Sequence, residues 1–186
     1  DGSQYGISIS YQIQQKPEGI AQAFIIGENF IEDDNVALVL GDNIFYGETF
    51  QEKLISAVSR SNGATVFGFE VDDPSSFGVI GFNKEGQVNS IQEKPKNPRS
   101  GYAVTGLYFY DNDVTKIAKQ LEPSERGELE ITDINKFYLD NRKLNVEILG
   151  KDFNWLDTGT HNSLLDASNF IKFIEEENNI KIACLE

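Results

Sequence analysis

The chain has 186 residues, of which 39% are hydrophobic and 25% are charged, a composition that suits one globular domain with a hydrophobic core. Its formal net charge is −14, from 16 basic and 30 acidic residues, which argues against non-specific nucleic-acid binding because such binding needs a basic surface. An anionic substrate stays open, since one or two local cations or a divalent metal can reverse the field inside a cleft. No apolar run approaches the length that crosses a bilayer, so we expect no membrane partner.

The two ends of the chain carry further expectations. The single cysteine, Cys184, permits no internal disulfide, and without a secretory leader the expected compartment is the cytoplasm. The chain begins at Asp1 and contains no methionine. Such a start predicts a piece cut from a longer protein.

The first third of the chain shows the signals of alternating strands and helices. Residues 6–14 alternate isoleucine with polar residues and predict a strand with one buried face. Residues 20–30 place apolar side chains at helical spacing, and residues 36–40 form a short apolar run that is typical of a strand buried on both faces. A helix is predicted from about 49 to 59. Its predicted apolar face is Phe50, Leu54, Ile55 and Val58.

The rest of the chain continues the pattern. Further strands are predicted over residues 64–69, 77–82, 87–93, 103–110 and 144–149. Helices are predicted over residues 112–121, 130–139 and 161–178, with a hairpin turn at 83–86 and a loop at 155–160. Together these elements predict an α/β fold with a mainly parallel mixed sheet, flanking helices and one small antiparallel hairpin insertion.

Asp42 and Asp157 are the two carboxylates best placed for a site. Asp42 follows the apolar run, and ligands bind outside the carboxyl ends of strands in parallel α/β sheets. Asp157 lies just before the long last helix. The two could converge on Mg²⁺, which typically takes one or two carboxylates together with substrate phosphates and waters. Alternatively, Asp42 could cap the next helix or make a turn, and Asp157 could cap the last helix, although Thr158 and Thr160 could serve there as well.

Glu93-Lys94-Pro95 forms a second candidate cluster. A lysine held by a following proline at a strand end can bind a phosphate as a point charge, and its glutamate neighbour could accept hydrogen bonds from sugar hydroxyls. The alternative for this cluster is a solvated surface pair. Gln14 and Gly19 flank a loop, where glutamine offers a donor and an acceptor to a base edge and glycine permits close backbone approach.

Several sequence blocks are similar to those of sugar-phosphate nucleotidylyltransferases, in order and at the family's spacing over essentially the whole chain. The blocks are PEGIAQAF (17–24), LVLGDNIFYG (38–47), FGVIGF (77–82), QEKP (92–95), YAVTGLYFYDNDV (102–114), RGELEITDIN (126–135) and WLDTGTHNSLLDASNFI (155–171). The last three narrow the resemblance to members that use dTTP and glucose 1-phosphate.

The resemblance implies a Rossmann-like nucleotidyltransferase fold and a Mg²⁺-dependent reaction. A phosphate oxygen of glucose 1-phosphate attacks the α-phosphorus of dTTP, pyrophosphate leaves and dTDP-glucose forms, so the protein mainly positions groups and neutralises charge. Carried over by motif, Asp42 and Asp157 would bind Mg²⁺, Lys94 would bind the sugar phosphate and Glu93 would bind the sugar hydroxyls. Gln14 and Gly19 would contact the thymine edge. The substrate pocket would also include Asn43, Gly78 and Val104. The family further implies a homo-oligomer, a tetramer.

The resemblance also concerns segments outside the chain. The family's Gly-rich triphosphate loop would precede Asp1, so we expect one nucleotidyltransferase domain over residues 1–186, incomplete at both ends and inactive alone. Thymine and uracil share one hydrogen-bonding edge, so dTTP and UTP are similarly good candidates for the nucleotide substrate. The alternatives are a uridylyl-, cytidylyl- or adenylyltransferase acting on a sugar 1-phosphate, or a non-catalytic sugar-nucleotide-binding module.

Overall fold

The computed structural model describes residues 2–182, and Cys184 therefore lies outside the described residues. The strands are β1 (Val36–Val39), β2 (Asn43–Tyr46), β3 (Ala64–Glu70), β4 (Gly78–Phe82), β5 (Val88–Glu93), β6 (Tyr102–Tyr110), β7 (Leu144–Ile148) and β8 (Asn154–Asp157). The helices are α1 (Gln22–Ile26), α2 (Glu28–Ile31), α3 (Phe50–Ser59), α4 (Asp113–Ala118), α5 (Ile131–Asp140) and α6 (His161–Asn178), and Ser3–Tyr5 forms a 3-10 turn.

Strand β6 is the centre of a mixed six-stranded sheet with the order β5-β4-β6-β3-β7. Strand β3 pairs with one edge of β6. The other edge of β6 pairs with two strands in turn, with β4 at Ala103 and with β1 at residues 107–110. Strands β2 and β8 form a separate two-stranded antiparallel sheet. The apolar run 36–40 therefore ends where the small sheet begins.

The α/β architecture with a mixed sheet and flanking helices is confirmed, but the prediction that pairing is mainly parallel is wrong. Within residues 2–182, only β3 and β7 pair in parallel, and every other strand pair is antiparallel. An apolar run reports how well the faces of a strand are covered, and it carries no information on the direction of the neighbouring strand. Here β6 runs opposite to both β1 and β3, which makes most pairs antiparallel.

The predicted hairpin insertion is confirmed. Strands β4 and β5 pair antiparallel, with Ile80 opposite Ile91. At the turn, the N–H of Asn83 donates to the carbonyl of Gln87 at 2.8 Å, and Gly86 takes the φ of +77° that a tight turn favours. The predicted helices over 49–59, 130–139 and 161–178 are also found, to within a few residues.

Four local predictions are wrong. Residues 6–14 form no strand, because no described strand pairs with them, and Tyr11 is 81% exposed. Strand β1 alternates between partly buried and exposed side chains because only one of its faces, with Val36 and Leu38, packs against the core. Ile55 and Val58 are exposed, since α3 buries Ala57 instead. Residues 155–157, predicted as part of a loop, belong to β8.

Helices pack against both faces of the sheet, and an apolar cluster lies at each of these two interfaces. The larger cluster lies on the face that includes Val66 and Tyr108, under α1, α4 and α5. The smaller cluster lies on the other face, where Phe67 and Leu107 meet Ala57 of α3. No helix within residues 2–182 is long and apolar enough to cross a membrane.

Candidate active site

A cavity of about 270 Å³ opens where β1 ends, between the small β2–β8 sheet and the β4–β5 hairpin. Most of the residues predicted for the site line this one cavity: Asp42, Asn43, Gly78, Glu93, Lys94, Val104 and Asp157. They come from segments spread over more than half of the chain. The fold therefore brings the two carboxylates and the Glu-Lys pair to a common space.

Asp42 and Asp157 lie side by side because of the antiparallel register of the small sheet. Asn43, the first residue of β2, is opposite Asp157, the last residue of β8. A side-chain carbon added at Gly159 would lie 3.0 Å from Asp157 Oδ1 and 3.6 Å from Asp42 Oδ2. Both carboxylates are thus within a few ångströms of one point, and Gly159 leaves the space between them open.

Neither carboxylate is used as a helix cap. Helix α6 is capped by Thr160, which forms a reciprocal capping box with Ser163, and α3 begins after Thr49. Asp157 Oδ1 accepts a hydrogen bond from the Gly159 N–H at 2.8 Å, and Asp42 Oδ1 accepts one from Asn43 Nδ2 at 2.9 Å. Among the ion pairs of the described residues, none involves either aspartate, so both keep oxygen atoms for a cation.

This donor set fits Mg²⁺. Mg²⁺ is commonly held by one or two carboxylates, with substrate phosphates and waters completing its coordination. Residues 2–182 contain no group of three or more His, Cys, Asp or Glu side chains arranged to hold a metal. Two carboxylates without a cationic partner are therefore suited to a metal whose other positions are filled by waters or phosphates.

The wall beside the β4–β5 hairpin carries two cations, Lys94 and Arg126, among three glutamates, Glu93, Glu128 and Glu130. Glu93 accepts a short hydrogen bond from Thr132 Oγ1, and its other oxygen lies 4.0 Å from Lys94 Nζ and 3.7 Å from Arg126 Nη2. Lys94 adopts a φ of +37°, and its N–H donates to the carbonyl of Phe77 at 3.0 Å. The Glu-Lys pair therefore lines the cavity wall, with the Lys94 side chain 45% exposed to solvent.

Arg126 is a residue of this wall to which the sequence reasoning assigned no role. Its guanidinium contacts both carboxylate oxygens of Glu130, at 2.9 and 3.0 Å, and Ser124 Oγ donates to the same carboxylate at 2.7 Å. The side chain of Glu130 is only 8% exposed. The signal was an arginine four residues before a glutamate at the start of a helix, inside one of the family-like blocks.

Arg126 and Glu130 shift each other's pKa. Burial by itself would raise the pKa of Glu130, but hydrogen bonds from Arg126 and Ser124, with the charges of Arg126 and Lys94, outweigh burial and lower that pKa below 4.5. The hydrogen bond with Glu130 in turn raises the pKa of Arg126. Because the folded-state pKa of Glu130 is lowered, its stabilisation is present above pH 4.5 and is lost as the pH falls through the folded-state value.

We expect Arg126→Gln to lower the free energy of unfolding by about 1.5–3 kcal/mol at pH 7, because it removes the charged hydrogen bonds of a buried carboxylate. The difference from the parent chain should narrow below pH 4.5, where an unpaired Glu130 takes up a proton. Urea unfolding at pH 7 and pH 4 measures both values. Lys116→Gln, which breaks an exposed i,i+3 pair with Asp113, is the control and should cost less than about 1 kcal/mol. A loss that is equal at both pH values would contradict this account.

Gln14 and Gly19 lie in a second, adjoining cavity of about 340 Å³ that shares Ile20 and Leu40 with the first. Gln14 Nε2 donates to the carbonyl of Gly19 at 3.0 Å and to Gln22 Oε1 at 2.6 Å. The structure thus brings these two residues together but separates them from the carboxylates. A ligand that contacts both groups must extend across Ile20 and Leu40.

Gly19 is constrained by its backbone surroundings. Its φ is +102°, and a side-chain carbon there would lie 2.3 Å from the carbonyl oxygen of Leu129. We expect Gly19→Ala to destabilise the chain by at least about 2 kcal/mol, because backbone strain adds to a contact that backbone atoms cannot relieve. Gly86→Ala, with a φ of +77° and open space around it, is the control and should cost only about 1 kcal/mol. Thermal unfolding of the two variants measures the difference, and equal losses would contradict the steric explanation.

Beside a mixed sheet, one cavity is thus lined by the two aspartates and by Lys94 and Arg126 with their glutamate partners. The nucleotidyl transferase family model matches residues 1–173. The chain belongs to the nucleotidyl transferase family.

The relatives are consistent with this membership. The chain is 57% identical over all of its 186 residues to a glucose-1-phosphate thymidylyltransferase of Neisseria meningitidis and 50% identical to one of Mycobacterium tuberculosis. It spans about 65% of the length of the first of these proteins and 64% of the second.

Solved structures show the same fold. A Bacillus anthracis structure, provisionally assigned as a glucose-1-phosphate thymidylyltransferase and determined with a sucrose, aligns with a TM-score of 0.81 at 42% identity, covering 91% of this chain and 67% of the other. A UDP-glucose pyrophosphorylase complexed with UDP-glucose aligns with a TM-score of 0.77 at 23% identity, covering 90% and 66% of the two chains. The second likeness supports the fold alone.

Proposed function

We propose that the intact protein transfers a thymidylyl group from dTTP to glucose 1-phosphate and releases dTDP-glucose and pyrophosphate, with Mg²⁺ as the metal. The observation that carries this proposal is that Asp42, Asp157, Lys94 and Arg126 line one cavity. The names of relatives at 50–57% identity, glucose-1-phosphate thymidylyltransferases, support the choice of dTTP and glucose 1-phosphate. dTDP-glucose would then feed dTDP-rhamnose synthesis.

The residues of the two walls have complementary roles in this reaction. The substrates are anions, and their approach to a chain with a net charge of −14 requires local positive charge. Lys94 and Arg126 would neutralise the phosphate of the sugar, while Glu93 would accept hydrogen bonds from sugar hydroxyls. Gly78 and Val104 line the cavity between them, and their backbone groups would contact the sugar. This wall would hold a phosphate oxygen in line with the α-phosphorus of dTTP.

Asp42 and Asp157 would hold Mg²⁺, which when bound neutralises charge on the triphosphate. Asn43 would complete the substrate site beside them. Phosphoryl-type transfer needs little covalent chemistry from the protein, so positioning and charge neutralisation by these side chains account for most of its contribution.

Gln14 and Gly19 would recognise the thymine edge. The Gln14 amide nitrogen already donates hydrogen bonds to the Gly19 carbonyl and to Gln22 Oε1, at 3.0 and 2.6 Å. A base that binds there must exchange at least one of these hydrogen bonds for its own. The adjoining position of the second cavity supports this division between a base site and a sugar-phosphate site.

The test is direct conversion by the intact protein. Purified protein is incubated with Mg²⁺, glucose 1-phosphate and one of dTTP, UTP, CTP or ATP, and the nucleotide sugar and pyrophosphate are both quantified. The proposal expects dTDP-glucose and pyrophosphate in equal amounts, with dTTP preferred. Preference for UTP, CTP or ATP would replace the nucleotide assignment, and tight binding of dTDP-glucose without turnover would favour a binding module.

The proposal includes an assembly and a compartment. Membership of the family supports a homo-oligomer, a tetramer, in the cytoplasm where nucleotide and sugar phosphate are available. Light scattering of the intact protein at several concentrations measures the oligomer, and a monomer at every concentration would overturn that part.

A further inference from the structure

The carboxamide of Asn43 is held through both of its polar atoms. Its Oδ1 accepts hydrogen bonds from the Gly106 N–H at 2.9 Å and from the Trp155 indole Nε1–H at 2.6 Å. Its Nδ2 donates to Asp42 Oδ1 at 2.9 Å. A backbone N–H and an indole N–H can only donate, so the two of them fix which end of the carboxamide is oxygen. The NH₂ group is thereby directed at the carboxylate of Asp42.

The packing around Asn43 allows little other arrangement. A side-chain carbon at Gly106 would lie 2.6 Å from Asn43 Cγ, so the glycine makes room for the carboxamide. Trp155 is only 7% exposed and makes edge contacts with Phe77 and Phe69, at ring-centroid distances of 5.1 and 6.0 Å. The indole that donates to Asn43 is therefore itself held in place.

The backbone and the carboxylate of Asp42 are held by different groups. Its carbonyl oxygen accepts hydrogen bonds from the N–H and the Oγ1 of Thr158, at 2.8 and 2.9 Å. Within the described residues, the carboxylate accepts a hydrogen bond only from Asn43. Thr158 thus fixes where the chain passes, and Asn43 sets the direction in which the carboxylate points.

We infer that Trp155 is a positioning residue for Asp42 and that it acts through the carboxamide of Asn43. This inference rests on the proposed function, since it takes Asp42 as a Mg²⁺ ligand. Outer groups that orient a metal ligand typically account for roughly 10- to 100-fold in metal affinity. Because Trp155 is one residue further out, its indole N–H should account for about tenfold, the lower end of that range.

The test uses Mn²⁺ alone as the probe, with free Mn²⁺ measured by electron paramagnetic resonance in solutions of the intact protein. Trp155→Phe keeps an aromatic ring but removes the N–H, and we expect it to weaken Mn²⁺ binding by about tenfold. Phe69→Leu is the matched control, because it removes a ring contact of Trp155 and keeps the hydrogen bond. It should change Mn²⁺ affinity by less than about twofold. An equal loss in both variants would indicate packing alone and would overturn the inference.

A double-mutant cycle tests whether the effect passes through Asn43. In the Asn43→Ala background, Trp155→Phe should cause no further loss of Mn²⁺ affinity, since the intermediary is gone. Losses that simply add would overturn the inference.

Asp42→Asn separates this inference from the proposed function. If it leaves Mn²⁺ binding unchanged, both the metal site and the inference are overturned. If it abolishes Mn²⁺ binding while Trp155→Phe has no effect, the metal site stands and only the role of Trp155 is overturned.

Discussion

Replacing Asp42 by asparagine in the intact protein is expected to lower Mg²⁺-dependent formation of dTDP-glucose by about 1000-fold, and Asp157→Asn should have a similar effect. Each change keeps the size of the side chain and removes one of the two negative charges that converge beside Gly159. Metal neutralisation of transition-state charge contributes several kcal/mol, and roughly 1.4 kcal/mol corresponds to tenfold in rate. Initial rates at several Mg²⁺ concentrations measure the effect.

Asp166→Asn is the matched control for these two variants. Asp166 lies on α6, a short distance along the chain from Asp157, but its side chain is exposed and does not line the cavity. Its replacement should leave the rate within about twofold. A rate for Asp42→Asn within tenfold of the parent protein would contradict the metal site. If the protein only bound nucleotide sugars, Asp42→Asn would leave their affinity, measured by calorimetry, largely intact.

The sequence pattern predicted the elements of the large sheet better than their arrangement. Strands β3 to β7 and the long helix α6 carry strong local signals, namely apolar runs, a turn over 83–86 and helical periodicity, and all were found. Strand direction depends on which elements pair, which local periodicity does not encode. For the same reason residues 6–14 were predicted as a strand although no described strand pairs with them.

The candidate site shows the same division. Asp42, Glu93, Lys94 and Asp157 could be selected because each lies at the end of a recognisable element. The proximity of Asp42 to Asp157 depends on the pairing of β2 with β8, two four-residue strands that the sequence did not predict. Arg126 was missed because Glu93, its partner from the cavity, approaches it only in the folded chain, although the Arg126–Glu130 spacing was a local signal.

The second large effect is expected at Lys94, one of the two cations that line the cavity. Lys94→Met in the intact protein is expected to lower kcat/KM for glucose 1-phosphate by about 100-fold, or about 2.7 kcal/mol, because it removes a point charge for the sugar phosphate. Lysine and methionine both have long unbranched side chains, so the backbone strain of a φ of +37° at this position should be the same in the two proteins. The effect should fall mainly on glucose 1-phosphate, with a smaller change in the KM for dTTP. Steady-state kinetics with each substrate varied in turn provides this comparison.

Lys96→Met distinguishes a local contact from the overall field of the protein. Lys96 is exposed in the same loop, two residues after Lys94, and does not line the cavity. Both changes remove one positive charge from a chain with a net charge of −14, so a general electrostatic effect would lower kcat/KM equally in the two variants. A charge that contacts the phosphate acts at close range and is screened less by salt than one at long range. We therefore expect Lys96→Met to change kcat/KM by less than about threefold. Equal losses in the two variants would indicate that Lys94 acts only through the overall field of the protein and does not contact the sugar phosphate.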